Sequence, residues 1–204
     1  MTADRRGGFE PAALRRWIPA AVAAVLVVGA AAMFIARELV SPPPPDAPPR
    51  AADDSVRFRD AAAGFSIEQP AGWRRVASPD PEVRLLAEGD GSSMQVRMGE
   101  LGLEIGPEQL DAAQKITDEL VRAAGPTKRL RPPRQVALGG LPGYLYLYTF
   151  RDADTGEEGA HAHYFLFRGE KLITIVFQTV SAERLAMLAP LFDRVGETLR
   201  VTPG

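Results

Sequence analysis

The chain carries two histidines, and they stand two residues apart at His161 and His163. In an extended segment that spacing puts both imidazoles on one face, where they could grip one metal ion. Asp152, Asp154, Glu157 and Glu158, just upstream, are carboxylates that could complete such a site. Spacing fixes no third ligand, however, and a solvated strand face explains two histidines at i and i+2 equally simply. The acidic loop has the length of a hairpin turn and lacks the ligand spacing of an EF-hand. Neither a nucleophile elbow nor a phosphate-cradling glycine loop occurs, and the GDGSS stretch, residues 89–93, has no strand-to-helix context. We therefore expect no catalytic residue, no cofactor and no bound metal. A metal-dependent enzyme built on His161 and His163 is the third of three functional readings.

Two other groupings favour binding over catalysis. Lys128, Arg129, Arg131 and Arg134, gathered around Pro132-Pro133, make the densest basic run. Such a run suits an anionic partner, whether lipid headgroups, wall polymer or the acidic patch of a protein. The alternative is an edge strand guarded against aggregation by charge and proline. Tyr144, Tyr146 and Tyr148, with Phe165 and Phe167, could line a pocket between a sheet and a helix that carries an apolar small molecule or lipid. A net charge of −2, from 24 basic and 26 acidic residues, argues against nucleic acid. The absence of cysteine excludes disulfides, thiolate metal sites and acylation on an N-terminal cysteine.

Position relative to a membrane governs how these groups are read. The segment Ile18–Ala36 contains no charged residue. As a helix it would measure about 28 Å, close to the roughly 30 Å of a bilayer's hydrocarbon core. Arg5, Arg6, Arg15 and Arg16 precede it, whereas Arg37 and Arg50 beyond it are mixed with Glu38, Asp46, Asp53 and Asp54. That asymmetry keeps residues 1–17 in the cytoplasm, with 18–36 as a single transmembrane helix and the remainder extracytoplasmic. A cleaved signal peptide, ending near Ala30-Ala31-Ala32, is the competing reading and places the domain on the same side. Residues 37–55 hold SPPPPDAPPRAADD, a proline-rich spacer with little to bury. At about 3.1 Å per residue it could hold the domain roughly 30–40 Å from the bilayer.

Residues 56–204 are enough for one domain with its own core. A short strand VRFRD is followed by GFSIEQPAGW, in which Phe65 and Ile67 alternate with Ser66 and Glu68 before Pro70. Val83–Ala87 and Met94–Met98 flank a glycine turn. Gly106-Pro107 opens a helix whose apolar stripe is Leu110, Ala113, Ile116, Leu120 and Ala124, ended by Gly125-Pro126. Four strands follow, at 135–138, 143–150, 160–167 and 172–179, joined by turn-like GGLP, DADTGEEG and RGEK. The strands at 143–150 and 172–179 carry apolar residues on both faces, so they belong in a sheet covered on both sides. Ser181 caps a last helix bearing Leu185, Leu188, Phe192, Val195 and Leu199, which Pro190 should kink or divide.

Gly64, Phe65, Ser66, Ile67, Pro70, Gly72 and Trp73 match an early G-F-S-I-x-x-P-x-G-W pattern, and Gly140 to Tyr144 approximate a later G-x-x-G-Y step. On these residues the chain resembles the PsbP-like fold over about residues 56–201. The bacterial branch of that fold includes extracytoplasmic proteins similar to the LpqN lipoproteins, and a small Ran-binding nuclear-import factor shares the architecture. The resemblance implies an α+β domain, an antiparallel sheet flanked by helices, that acts as a non-catalytic binding or assembly module. It supplies no catalytic residues. The leading reading is thus a membrane-anchored module for an envelope protein or cell-wall component, with the apolar-ligand carrier second.

Overall fold

The computed structural model describes residues 56–151 and 156–202. The segments expected to be a cytoplasmic tail (1–17), a transmembrane helix (18–36) and a linker (37–55) lie outside the described residues, as do Asp152 and Asp154. Among the described residues no helix is long and apolar enough to cross a membrane.

Two antiparallel sheets and two helices form an α+β unit. β1 (Val56–Asp60), β2 (Phe65–Gln69) and β10 (Arg200–Val201) make a three-stranded sheet with β2 central. The larger sheet runs β3 (Arg74–Arg75), β4 (Val83–Gly89), β5 (Ser92–Ile105), β9 (Glu158–Thr179), β8 (Leu141–Arg151) and β6 (Thr127–Arg129). β7 (Arg134–Leu138) also pairs with β8.

β9 is assigned as one strand, yet it cannot be straight. At about 3.3 Å per residue a straight strand would separate positions 161 and 178 by roughly 55 Å. The side chains of His161 and Gln178 instead meet at 2.8 Å. β9 therefore doubles back near Gly169, whose φ of +59° suits a tight reversal. Its first arm pairs with β8, Gly143 opposite Leu166, and its second with β5, Ser92 opposite Thr179. These arms are the two strands that the RGEK turn separates in the sequence.

The two arms are buried on both faces. On one face Ala160, Ala162, Tyr164 and Leu166 join Ile173, Ile175, Phe177, Leu145 and the three-stranded sheet in a core with α2 (Ala182–Glu197). There Phe177 stacks on Phe192 at 4.4 Å and Trp73 meets the same ring edge-on at 6.4 Å. Phe65 and Trp73 of the early motif are core residues. On the other face Tyr144, Tyr146, Tyr148, Phe165, Phe167 and Leu172 pack under α1 (Leu110–Ala123), which follows a 3-10 turn at Pro107–Gln109. α1 enters through a reciprocal contact between Gly106 and Gln109, whose side-chain Oε1 accepts from Gly106 N–H at 2.9 Å. Its buried stripe differs from the expected one in that Thr117 and Val121 are buried while Ile116 is only partly so.

Of the two outcomes expected for Pro190, a kink or a division, division is not observed: α2 runs unbroken from Ala182 to Glu197. Pro190 and Ala186 are both exposed, so the Ala186 carbonyl, which loses its donor, belongs to the exposed side of α2. Ser181 caps α2 as expected, its hydroxyl accepting from Arg184 N–H at 3.2 Å.

Where the first arm of β9 crosses β8 the backbones approach closely. A Cβ placed on Gly143 would lie 1.9 Å from the Phe165 carbonyl oxygen. Gly143→Ala is therefore expected to destabilise the domain by about 3 kcal/mol or more, since the strands must part to admit it. Urea denaturation measures this, and a loss below about 1 kcal/mol would contradict the geometry.

Candidate functional site

The histidines lie on the face of β9 that α1 helps to cover, but they do not form a solvated strand face. His163 is 1 % exposed and stacks on Phe165 at 3.9 Å. The Tyr148 hydroxyl sits between the two rings, 3.0 Å from Nδ1 of His161 and 3.0 Å from Nδ1 of His163. Nε2 of His161 lies 2.8 Å from Oε1 of Gln178. This acceptor sets the direction of the chain. His161 donates from Nε2 and so accepts at Nδ1 from the Tyr148 O–H. The Tyr148 oxygen then accepts from Nδ1–H of His163, leaving the Nε2 lone pair of His163 with no hydrogen-bond partner.

That arrangement holds both imidazoles neutral. Burial depresses the His161 pKa to about 4, opposed in part by its bond to Gln178. Burial holds His163 well below the usual histidine value, and the neighbouring His161 adds to the effect. Burial also raises the Tyr148 pKa, so its proton stays. Both Nδ1 atoms face one tyrosine hydroxyl, so the pair does not present two free nitrogens to a metal. Among the described residues no three His, Cys, Asp or Glu side chains are grouped so as to hold one.

The aromatic set proposed to line a pocket is brought together, but beneath α1. Tyr144, Tyr146, Tyr148, Phe165 and Phe167 are all at most 4 % exposed. Tyr144 donates to the Leu110 carbonyl at 3.0 Å. The Tyr146 hydroxyl meets Thr117 Oγ1 at 2.7 Å and donates to Asp118 Oδ1 at 2.9 Å. A ligand taken up here would have to lift α1 off two hydrogen-bonded tyrosines.

The basic run lies at an edge of the larger sheet. β6 pairs with β8, Lys128 opposite Thr149, and β7 continues along the same edge. Lys128, Arg129, Arg131 and Arg134 are all exposed, and Leu130 is 40 % exposed. Arg129 is engaged, donating to Asp118 at 2.5 Å with its guanidinium 5.5 Å from the Tyr146 ring centre. Among the described residues Lys128, Arg131 and Arg134 have no carboxylate within 4.0 Å.

No protein-family model matches the chain, and no curated protein matches it in sequence. Solved structures do match. The cyanobacterial PsbP of Synechocystis superposes with a TM-score of 0.53 at 18 % identity, covering 74 % of this chain and 94 % of that one. The fold is PsbP-like. A Bacteroides thetaiotaomicron protein gives a TM-score of 0.51 at 13 % identity over 74 % of this chain, which spans about half that protein's length, 49 %. LpqN of Mycobacterium tuberculosis, described as involved in cell envelope biogenesis, gives 0.46 at 10 % identity, with 73 % and 91 % coverage.

Within this PsbP-like domain the early motif has structural work to do. Trp73 N–H donates to the Pro70 carbonyl at 3.2 Å, closing a turn that delivers the indole to Phe192. Gln69 donates from its amide to the Trp73 carbonyl at 2.8 Å. Thr117, Asp118 and Gln178, which satisfy the buried tyrosine and histidine groups, carry no pattern that marks them in the sequence.

The histidine pair gives the domain a pH dependence of defined sign. Because folding depresses both pKa values below the unfolded value of about 6.5, the unfolded state binds more protons at mildly acidic pH. Their stabilising contribution is complete above about pH 6.5 and is lost as pH falls toward 4, by up to about 1.4 kcal/mol per pH unit for each proton taken up. Denaturant titrations from pH 7.5 to 4 are expected to show this loss, and His161→Gln combined with His163→Phe should flatten it. An unchanged slope in the double variant would remove the histidines as its source.

Proposed function

We propose that this chain is a single-pass membrane protein whose PsbP-like domain lies outside the cytoplasm and binds a partner protein or envelope component without catalysing a reaction. The apolar run at 18–36, with arginines concentrated before it, supports the anchor and its orientation. The proline-rich stretch at 37–55 suits a spacer between bilayer and domain.

The observation that carries the binding role is the edge from Thr127 to Arg134. Three exposed cations stand there, with no carboxylate within 4.0 Å among the described residues, beside an exposed Leu130. A surface of that kind gains when an anionic partner arrives, since little intramolecular pairing must be given up. The tyrosines and histidines under α1, by contrast, are engaged with one another and with that helix.

A photo-crosslinking residue at position 131, in membranes, is expected to give discrete adducts. Replacing Lys128 and Arg134 by glutamate should abolish them while leaving the thermal midpoint within about 3 °C, as surface changes do. A reporter active only outside the cytoplasm, fused after Gly204, should be active. Adducts that survive charge reversal would refute the docking surface, and a silent reporter would refute the topology.

A further inference from the structure

Resting on the reading that this edge docks a partner, we infer that β6 receives an extended acidic polypeptide segment as an additional strand of the larger sheet. The register sets which groups are offered. Leu130 N–H donates to the Leu147 carbonyl at 2.8 Å, so position 130 points its backbone groups inward, and so does 128 by the strand's period of two. Thr127 and Arg129 therefore turn their N–H and C=O groups outward, where among the described residues no strand pairs with them. Pro132 and Pro133 have no N–H to offer, which limits the receiving stretch to about residues 127–131.

The side chains define what fits. Arg129 is drawn toward α1 by Asp118 and Tyr146 and so does not fold over its own outward backbone. Lys128 and Leu130 alternate with it and fall on the opposite face, giving an incoming strand one cation and one apolar contact there. Arg131 adds a second unpaired cation at the end of the stretch. A second copy of this chain is a poor occupant, since two such edges would set Lys128 and Arg131 against their own kind. A lipid surface or charged polymer could answer the cations, but only a polypeptide answers the alternating outward donors and acceptors. Acidic residues alternating with apolar ones match both features.

The test uses the full-length chain in neutral detergent and an end-blocked hexapeptide of alternating glutamate and valine. Amide chemical shifts are expected to move at residues 127–131. N-methylating two adjacent central residues of the peptide blocks both of its edges and should weaken binding about tenfold or more. Arg129→Pro removes one outward donor, whereas Arg129→Ala removes the same side chain and keeps it. The proline variant should bind at least about fivefold more weakly than the alanine variant, with both folded by thermal denaturation. Equal binding by the methylated peptide, parity of the two variants, or no shift at 127–131 would overturn strand addition. Displacement by dextran sulfate that is indifferent to N-methylation would also overturn it and assign the edge to a polyanion. The crosslinking result above stands apart, because it reads whether the edge docks anything and the methylated pair reads only how.

Discussion

Neither arm of the β9 hairpin has a face that can be left to water, and the architecture follows from meeting that demand. Tyr164, Ile173, Ile175 and Phe177 look one way, Phe165, Phe167 and Leu172 the other. Fully burying one such side chain is worth about 1.5–3 kcal/mol, so exposing either row would cost an amount comparable to a domain's typical net stability of about 5–15 kcal/mol. α2 and the three-stranded sheet close the first side, and α1 the second. The strands at the periphery, β3, β6 and β7, are the ones that can be short, charged and exposed.

Both faces bury polar groups, Tyr164 donating to Asp193 on the first, but the second holds more of them. Three tyrosines and two histidines lie in it, and each buried hydroxyl or ring nitrogen without a partner would cost about 1–3 kcal/mol. Leu110, Thr117 and Asp118 of α1 answer Tyr144 and Tyr146, while Tyr148 is answered from within the sheet by the histidines. This division makes α1 a polar fit as well as an apolar one, so its register along β8 is set by specific hydroxyls. Among the described residues Nε2 of His163 is left without a hydrogen-bond partner, as is Oε1 of Glu88.

Much of this was readable in the residues before any coordinates. Two-sided apolar strands at 143–150 and 172–179 demanded a doubly covered sheet, and Leu145 and Tyr146 do lie in opposite cores. The RGEK turn was legible because glycine stands between two apolar runs, and the reversal at Gly169 bears it out. The state of the histidines was not legible, since a strand with period two records which side a residue faces but not whether a helix lies over it. Whether Pro190 would divide its helix was hidden for a related reason: its cost depends on the exposure of the turn before it, and that is a tertiary fact. Thr117 and Gln178 are ordinary polar residues whose roles exist only because Tyr146 and His161 are opposite them.

One feature of the small sheet bears on how the domain is made. β2 is completed on one side by β10, and Thr202 N–H donates to the Gly64 carbonyl at 2.9 Å. Arg168, at the tip of the hairpin, donates to the Ala63 carbonyl at 3.0 Å and to the Thr202 carbonyl at 2.7 Å. The earliest strands thus wait, unfinished, for segments synthesised more than a hundred positions later, and contacts of such long sequence separation form slowly. A nascent chain halted short of residue 202 cannot seal the sheet, which leaves Phe65 and Ile67 without their β10 cover until that segment has been made.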